Sequence, residues 1–162
     1  MEINFKKKAI FLKYNSKIKE INSKMIARLL THCKKNNSNI RYCLHKDKGD
    51  KHQEMIICQK QDLFFPPKKN TKSDQTFLIL RGKLLLIIFN TNGKIIKKIV
   101  LSKSKNISAR VKKNVYHCDI PITNFSIHLE TKNCLFNKNV NKLAKFNFDR
   151  IKILKNLKKN LQ

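Results

Sequence analysis

The chain is short of acid, arginine, glycine and long apolar runs. Of 162 residues only 10 are Asp or Glu against 37 Lys and Arg, a formal charge of +27. Arg28, Arg41, Arg81, Arg110 and Arg150 are its only arginines. With 3 glycines there is no Gly-rich loop to cradle a phosphate, and no Ser-His-Asp spacing is present, which leaves kinase and hydrolase chemistry without support. The longest apolar run, LLLIIF from Leu84 to Phe89, is far below the roughly 18 residues that span a bilayer. The N-terminal run AIFL stops at Lys13, too short for the core of a signal peptide. Cys33, Cys43, Cys58, Cys118 and Cys134 are odd in number and include no C-x-x-C pair, which argues against a zinc knuckle or a dithiol motif and for small apolar core side chains in a reducing compartment. These absences predict a soluble, cytoplasmic protein without a membrane span.

The positive charge invites a nucleic-acid partner, because Lys and Arg supply most non-specific binding to phosphate backbones. The kind of base argues otherwise, since planar, bidentate recognition favours Arg over Lys. Lysine is spread along the whole chain with abundant Asn and Ile, three residues that share A/T-rich codons, and codon usage accounts for the charge without a partner. Weak, non-specific polyanion binding at low salt is still expected of such a surface.

What is present is a single-domain pattern. A chain of this length buries a sizeable core, and 41% apolar content in short Ile, Leu, Val and Phe runs marks a folded chain. From Lys17 to Lys35, Ile18, Ile21, Met25, Ile26, Leu29, Leu30 and Cys33 recur at helical spacing with lysines opposite. Residues 36–53 read as irregular chain. Six strands are then expected over residues 54–59, 76–80, 83–89, 94–101, 107–112 and 124–130. Asn92-Gly93 supplies a hairpin reversal between two of them. The tail predicts a lysine-rich amphipathic helix with Leu143, Phe146, Ile151, Leu154, Leu157 and Leu161 on one side. Short strands at this spacing indicate an antiparallel sandwich or barrel.

The stretch FFPPKKNTKSDQTFLILRG, Phe64 to Gly82, frames a loop between an apolar run and a strand that closes on glycine. It resembles the first cupin motif, G-x5-H-x-H-x3–4-E-x6-G, with Asp62 at the opening Gly, Lys68 and Asn70 at the two His positions, Gln75 at the Glu and Gly82 at the closing Gly. KKNVYH resembles the second motif, P-x-G-x2-H: Lys112 stands for Pro, Asn114 for Gly, and His117 keeps the His. A narrower likeness rests on Arg41 and His45 as an R-x3-H element, Phe89 to Gly93 as an FD-x2-G hairpin, Tyr116-His117 as a W-H pair, and Leu129 to Phe136 as an HET-x2-GPF ending. Over about Asn39 to Lys138 the chain thereby resembles the WbuC family of small cupins, whose genes sit among those for surface polysaccharide (O-antigen, lipopolysaccharide) synthesis.

That resemblance implies an all-β cupin double-stranded β-helix, a jelly-roll barrel over residues 39–138, between an N-terminal helical segment (1–38) and a basic amphipathic C-terminal helix (139–162). The flanking helix either packs on the barrel or contacts another chain, and a homodimer is a candidate assembly. A cupin metal centre needs neutral imidazoles and a carboxylate converging on one cation. With an ammonium at Lys68 and neutral amides at Asn70 and Gln75, no cofactor and no metal are expected, residual metal binding being left to His117 alone. The expected site is a metal-free pocket for a sugar or nucleotide sugar, with Lys68, Asn70, Gln75, Arg41, His45, Glu130 and Arg81 as binding residues. His117 and Asp119 point to one side of a strand, so that a carboxylate orients an imidazole as general base; metal-free cupins that epimerise or isomerise nucleotide sugars are similar in using such a histidine. Lys68, Lys69 or Arg81 would then meet a phosphate. The plainer alternative packs His117 in the barrel mouth, with Asp119 ending a strand before Pro121 and the lysines as a solvated rim. Arg41 and Glu130 are candidates for a buried pair that ties the N-terminal segment to the last strand. His32, His52 and His128 receive no role.

Overall fold

A computed structural model of the protein describes residues 8–12, 17–135, 140–149, 152, 153, 155 and 156. The elements in chain order are β1 (Ala9–Phe11), α1 (Ser23–Lys35), β2 (Ile40–Cys43), β3 (His52–Lys60), a 3-10 turn (Gln61–Leu63), β4 (Lys68–Asn70), β5 (Gln75–Arg81), β6 (Leu84–Phe89), β7 (Ile95–Leu101), β8 (Ser108–Val111), β9 (Tyr116–Pro121), β10 (Phe125–Asn133) and β11 (Asn141–Leu143). They form a six-stranded sheet in the order β1-β2-β3-β10-β5-β8 and a five-stranded sheet in the order β11-β4-β9-β6-β7. All pairings are antiparallel except β1 with β2.

Each layer follows from side-chain alternation. Helix α1 starts at Asn22, whose Oδ1 accepts from the Met25 amide at 3.0 Å, an N-cap that satisfies an otherwise orphaned donor. It buries Leu29 and Cys33 against Ile40, Tyr42, Ile56, Cys58 and Ile127 on the outer face of the larger sheet. The run LLLIIF is apolar at every position because both faces of β6 are covered. Leu84 and Leu86 point between the sheets with Phe77, Ile79, Leu101 and Val111. Leu85, Ile87 and Phe89 point outward, under Phe64, Phe146, Phe148 and Ile153.

Two glycines are required by geometry. Gly82, between β5 and β6, has φ +80 and a Cβ there would lie 2.5 Å from the Phe125 carbonyl oxygen. Gly93, in the β6–β7 hairpin, has φ +84 and presses on the Phe146 ring. Gly93 alone takes a positive φ in that hairpin; Asn92 does not, because the reversal is longer than a two-residue turn. Asn90 Oδ1 accepts from the Asn92 and Lys94 amides, and the register shifts between Ile88 and Phe89.

The expected helix, six strands and barrel are all present, and three segments depart from expectation. The chain at 36–53 is not wholly irregular, since β2 forms there: Ile40 and Tyr42 bury against α1. The helix begins at Ser23 rather than near Lys17. Leu143 lies in β11, paired with β4 and exposed, and Phe146 packs from a non-helical stretch, so the tail is not helical from residue 139. Helical backbone is seen at 152, 153, 155 and 156; Phe136, Ile151, Leu154, Leu157 and Leu161 lie outside the described residues.

Candidate functional site

Short β4 places Lys68 directly opposite His117 of β9, the two Cα atoms being register partners. On β9 the alternation that buries Cys118 and Ile120 outward turns His117 and Asp119 inward. On β10 the same rule turns Ser126, His128, Glu130 and Lys132 inward, all buried. On β3 it turns Gln53, Met55, Ile57 and Gln59 inward, where they line a cavity of about 550 Å³. Lys68, Asp119, Glu130 and Lys132 line the same cavity. Its inner wall is therefore built from two cations and two anions.

These charges settle one another. Lys132 Nζ lies 3.8 Å from Glu130 Oε1. Burial alone would raise the Glu130 carboxyl, yet Lys68 and then Lys132 hold it down to about 2. Burial likewise opposes the Lys68 ammonium, but Glu130 and Asp119 outweigh it and keep its pKa above the ordinary lysine value. At neutral pH both groups are ionised, and neither can exchange a proton readily.

Behind this wall, and not lining the cavity, lie the two inward histidines. The rings of His117 and His128 stand 5.8 Å and 6.1 Å from that of Phe77. Burial, with the Lys68 charge adding at both, holds each imidazole below its usual pKa, so both are neutral. His117 Nδ1 lies 3.0 Å from the Val115 carbonyl and donates to it, which leaves the proton off Nε2. The orienting partner is thus a backbone carbonyl and not Asp119, whose own carbonyl accepts from Gln59 Nε2 at 3.1 Å. His117 Nε2, both nitrogens of His128, the Gln75 amide and Ser126 Oγ are buried with no hydrogen-bond partner among the described residues.

The other expected residues divide. Arg41 and His45 do line the cavity. Burial holds His45 below its usual pKa, partly offset by Glu54, whose carbonyl and amide lie 3.0 Å and 3.1 Å from Nδ1. Arg41 does not pair with Glu130: among the described residues no carboxylate forms an ion pair with Arg41, because Lys132 and Lys68 already occupy that acid. Asn70 is buried but faces a turn, its Oδ1 accepting from the Lys72 and Ser73 amides at 2.9 Å and 3.0 Å and its Nδ2 donating to Cys134 Sγ. Gln75 is buried beside Phe77 on the inner face of β5. Lys69 Nζ sits over the Tyr116 ring at 4.6 Å. Arg81 is exposed and lines a separate cavity with Lys34 and Phe125. Asn114, at the position of the motif glycine, has φ +66, a conformation Asn tolerates better than most residues.

Sequence reasoning passed over Gln59, Lys132 and His128. The signal was there in part, since residues 126, 128, 130 and 132 share one face of a single strand.

A cupin-type metal does not fit this donor set. Of the four motif positions, the Lys68 ammonium has no lone pair to offer, Asn70 Oδ1 is engaged by two amides, and only the His117 imidazole and the Gln75 amide remain. Among the described residues no group of three or more His, Cys, Asp and Glu is arranged to hold a metal ion.

Two facing sheets wound as a jelly roll, with a polar cavity lined from β2, β3, β4, β9 and β10, define a cupin-fold protein. Residues 21–101, from before α1 to the end of β7, match the model of a Domain of unknown function (DUF6016), and the chain belongs to that family. No curated protein matches the sequence. Among solved structures, the chain is similar to the capsular polysaccharide assembling protein CapF from Staphylococcus aureus at 15% identity and TM-score 0.53, over 68% of this chain and 34% of CapF. It is also similar to protein SO0799 from Shewanella oneidensis, at 10% identity and TM-score 0.51, over 68% of this chain and 70% of that one. The chain thus spans about a third of CapF's length. No helix among the described residues is long and apolar enough to cross a membrane.

Proposed function

We propose that this chain is a metal-free cupin that binds a sugar or nucleotide sugar in surface-polysaccharide biosynthesis, as its likeness to the WbuC family implies. The observation that carries the reading is convergence. Arg41 of β2, His45 beyond it, Lys68 of β4 and Glu130 of β10, far apart in sequence, line one cavity of about 550 Å³, a size suited to a small-molecule ligand. A wall of Lys68, Asp119, Glu130 and Lys132, in which Lys68 and Glu130 hold each other ionised, offers many donors and acceptors to hydroxyl groups, which favours binding over catalysis. The likeness of the barrel to CapF, a capsular polysaccharide assembling protein, is compatible with the same setting.

Metal analysis of protein purified without an affinity tag tests the metal-free part. Substoichiometric iron, nickel, manganese and zinc are expected, and one equivalent of any of them overturns it.

A second reading, a nucleotide-sugar epimerase or isomerase with His117 as base, has one observation in its favour: the neutral imidazole presents an unpartnered Nε2 lone pair. Against it, His117 does not line the cavity. Turnover of a deoxyhexose nucleotide that disappears in H117N decides for the enzyme.

A further inference from the structure

We propose that the cavity takes a nucleoside-diphosphate-linked sugar in one orientation, with the sugar against the inner wall and the diphosphate at a cationic rim built by Arg41. The inference deepens the sugar-binding reading and rests on it. The inner wall holds two cations, Lys68 and Lys132, and two anions, Asp119 and Glu130, and so has no net charge for an ionic ligand to answer. Buried Gln53 and Gln59 complete that wall with neutral amides. Such a surface suits hydroxyl groups, which donate and accept without bringing charge into a buried place.

The rim differs in kind. Arg41 of β2 and Lys8, the residue before β1, both line it, and the Arg41 amide donates to the Lys8 carbonyl at 3.1 Å. Among the described residues no acid other than Asp119 and Glu130 lines the cavity, and Arg41 is in no ion pair with a carboxylate. A half-buried guanidinium at a cavity edge is a fork that matches two phosphate oxygens. Phe65, 55% exposed, lines the same cavity, with Lys68 Nζ 5.7 Å from its ring centroid. An aromatic ring left in solvent on a cavity lining is a surface on which a nucleobase stacks. Lys68, by contrast, is already answered by Glu130 and Asp119 and is left to meet the sugar.

The test is calorimetric titration of the full chain at about 0.15 M salt, near physiological ionic strength, with dTDP-glucose, dTDP and methyl glucoside, using the wild type, R41Q, R41K, F65A and the surface control K98Q. The expected result is that dTDP-glucose binds more tightly than either part. R41Q then weakens dTDP-glucose and dTDP by about tenfold, the loss of a bidentate charge-assisted contact, and leaves methyl glucoside unchanged. R41K retains the charge without the fork and falls between; since it preserves the β2 backbone, it also guards against misfolding of R41Q. F65A weakens dTDP and not methyl glucoside. If methyl glucoside binds but dTDP adds nothing, or if R41Q and K98Q act alike on the nucleotides, the orientation is overturned while sugar binding stands. If neither the sugar nor the nucleotides bind, the sugar-binding reading itself is overturned and this inference with it.

Discussion

Lys68 and His117 face each other across the β4–β9 pair, an ammonium opposite an imidazole. Burial holds His117 below the usual histidine pKa, and nearby acids keep Lys68 above the usual lysine one. The acids that hold Lys68 charged, Glu130 and Asp119, lie on the same wall.

The first prediction concerns that wall. Removing one member of a buried ion cluster strands its partner, at a cost of about 3–5 kcal/mol. In K68M, Lys132 stays near Glu130, which places the expected loss near the lower end of that range. Denaturant unfolding measures it. A variant as stable as the wild type would show that Lys68 and Glu130 do not depend on each other.

The pH dependence of stability has three windows. His45, His117 and His128 are held below the usual histidine pKa, mainly by burial, so the unfolded chain takes up protons first and stability falls as pH drops below about 6.5. Glu130 is depressed to about 2 from 4.5, so its contribution is present above pH 4.5 and is lost as pH falls toward 2. Lys68 is raised above 10.5, and its contribution is full below that pH and lost above its folded value. Unfolding midpoints from pH 8 to pH 5 should decline, and H128L should decline less steeply. An identical slope in H128L would sink the assignment to His128.

Glycine replacement separates two kinds of obstacle. G82A and G93A both force a Cβ into positive φ, a strain of order 1–3 kcal/mol. At Gly82 the Cβ meets the Phe125 carbonyl oxygen at 2.5 Å, whereas at Gly93 it meets the Phe146 side chain at 2.6 Å. Backbone in a sheet yields less readily than a ring, so thermal melting should rank G82A below G93A, and the reverse order would refute the contact geometry.

A last prediction addresses the charge of +27. Duplex DNA should bind weakly at about 0.05 M salt and be released by about 0.2 M, as non-specific lysine contacts are. Tight binding that survives the higher salt would favour a nucleic-acid partner over a sugar.

Alternation and punctuation made the strands, the helix face and the closing glycine readable in the chain, because periods of 2 and 3.6 are local properties of the backbone. Lys68 and His117, singled out from two separate motifs, are register partners in the structure. Short β1, β2, β4 and β11 were harder to see: three or four residues carry too little alternation, and their pairing is made by distant partners.

What only the tertiary structure decided is which polar groups share a space. Asn70 turned out to serve its own turn, Arg81 to lie in a separate cavity, and Glu130 to answer lysines instead of Arg41. Those outcomes depend on which strands are neighbours, and therefore on charges tens of residues apart in sequence meeting at a few ångströms, where burial makes their pairing a matter of energy that no local pattern records.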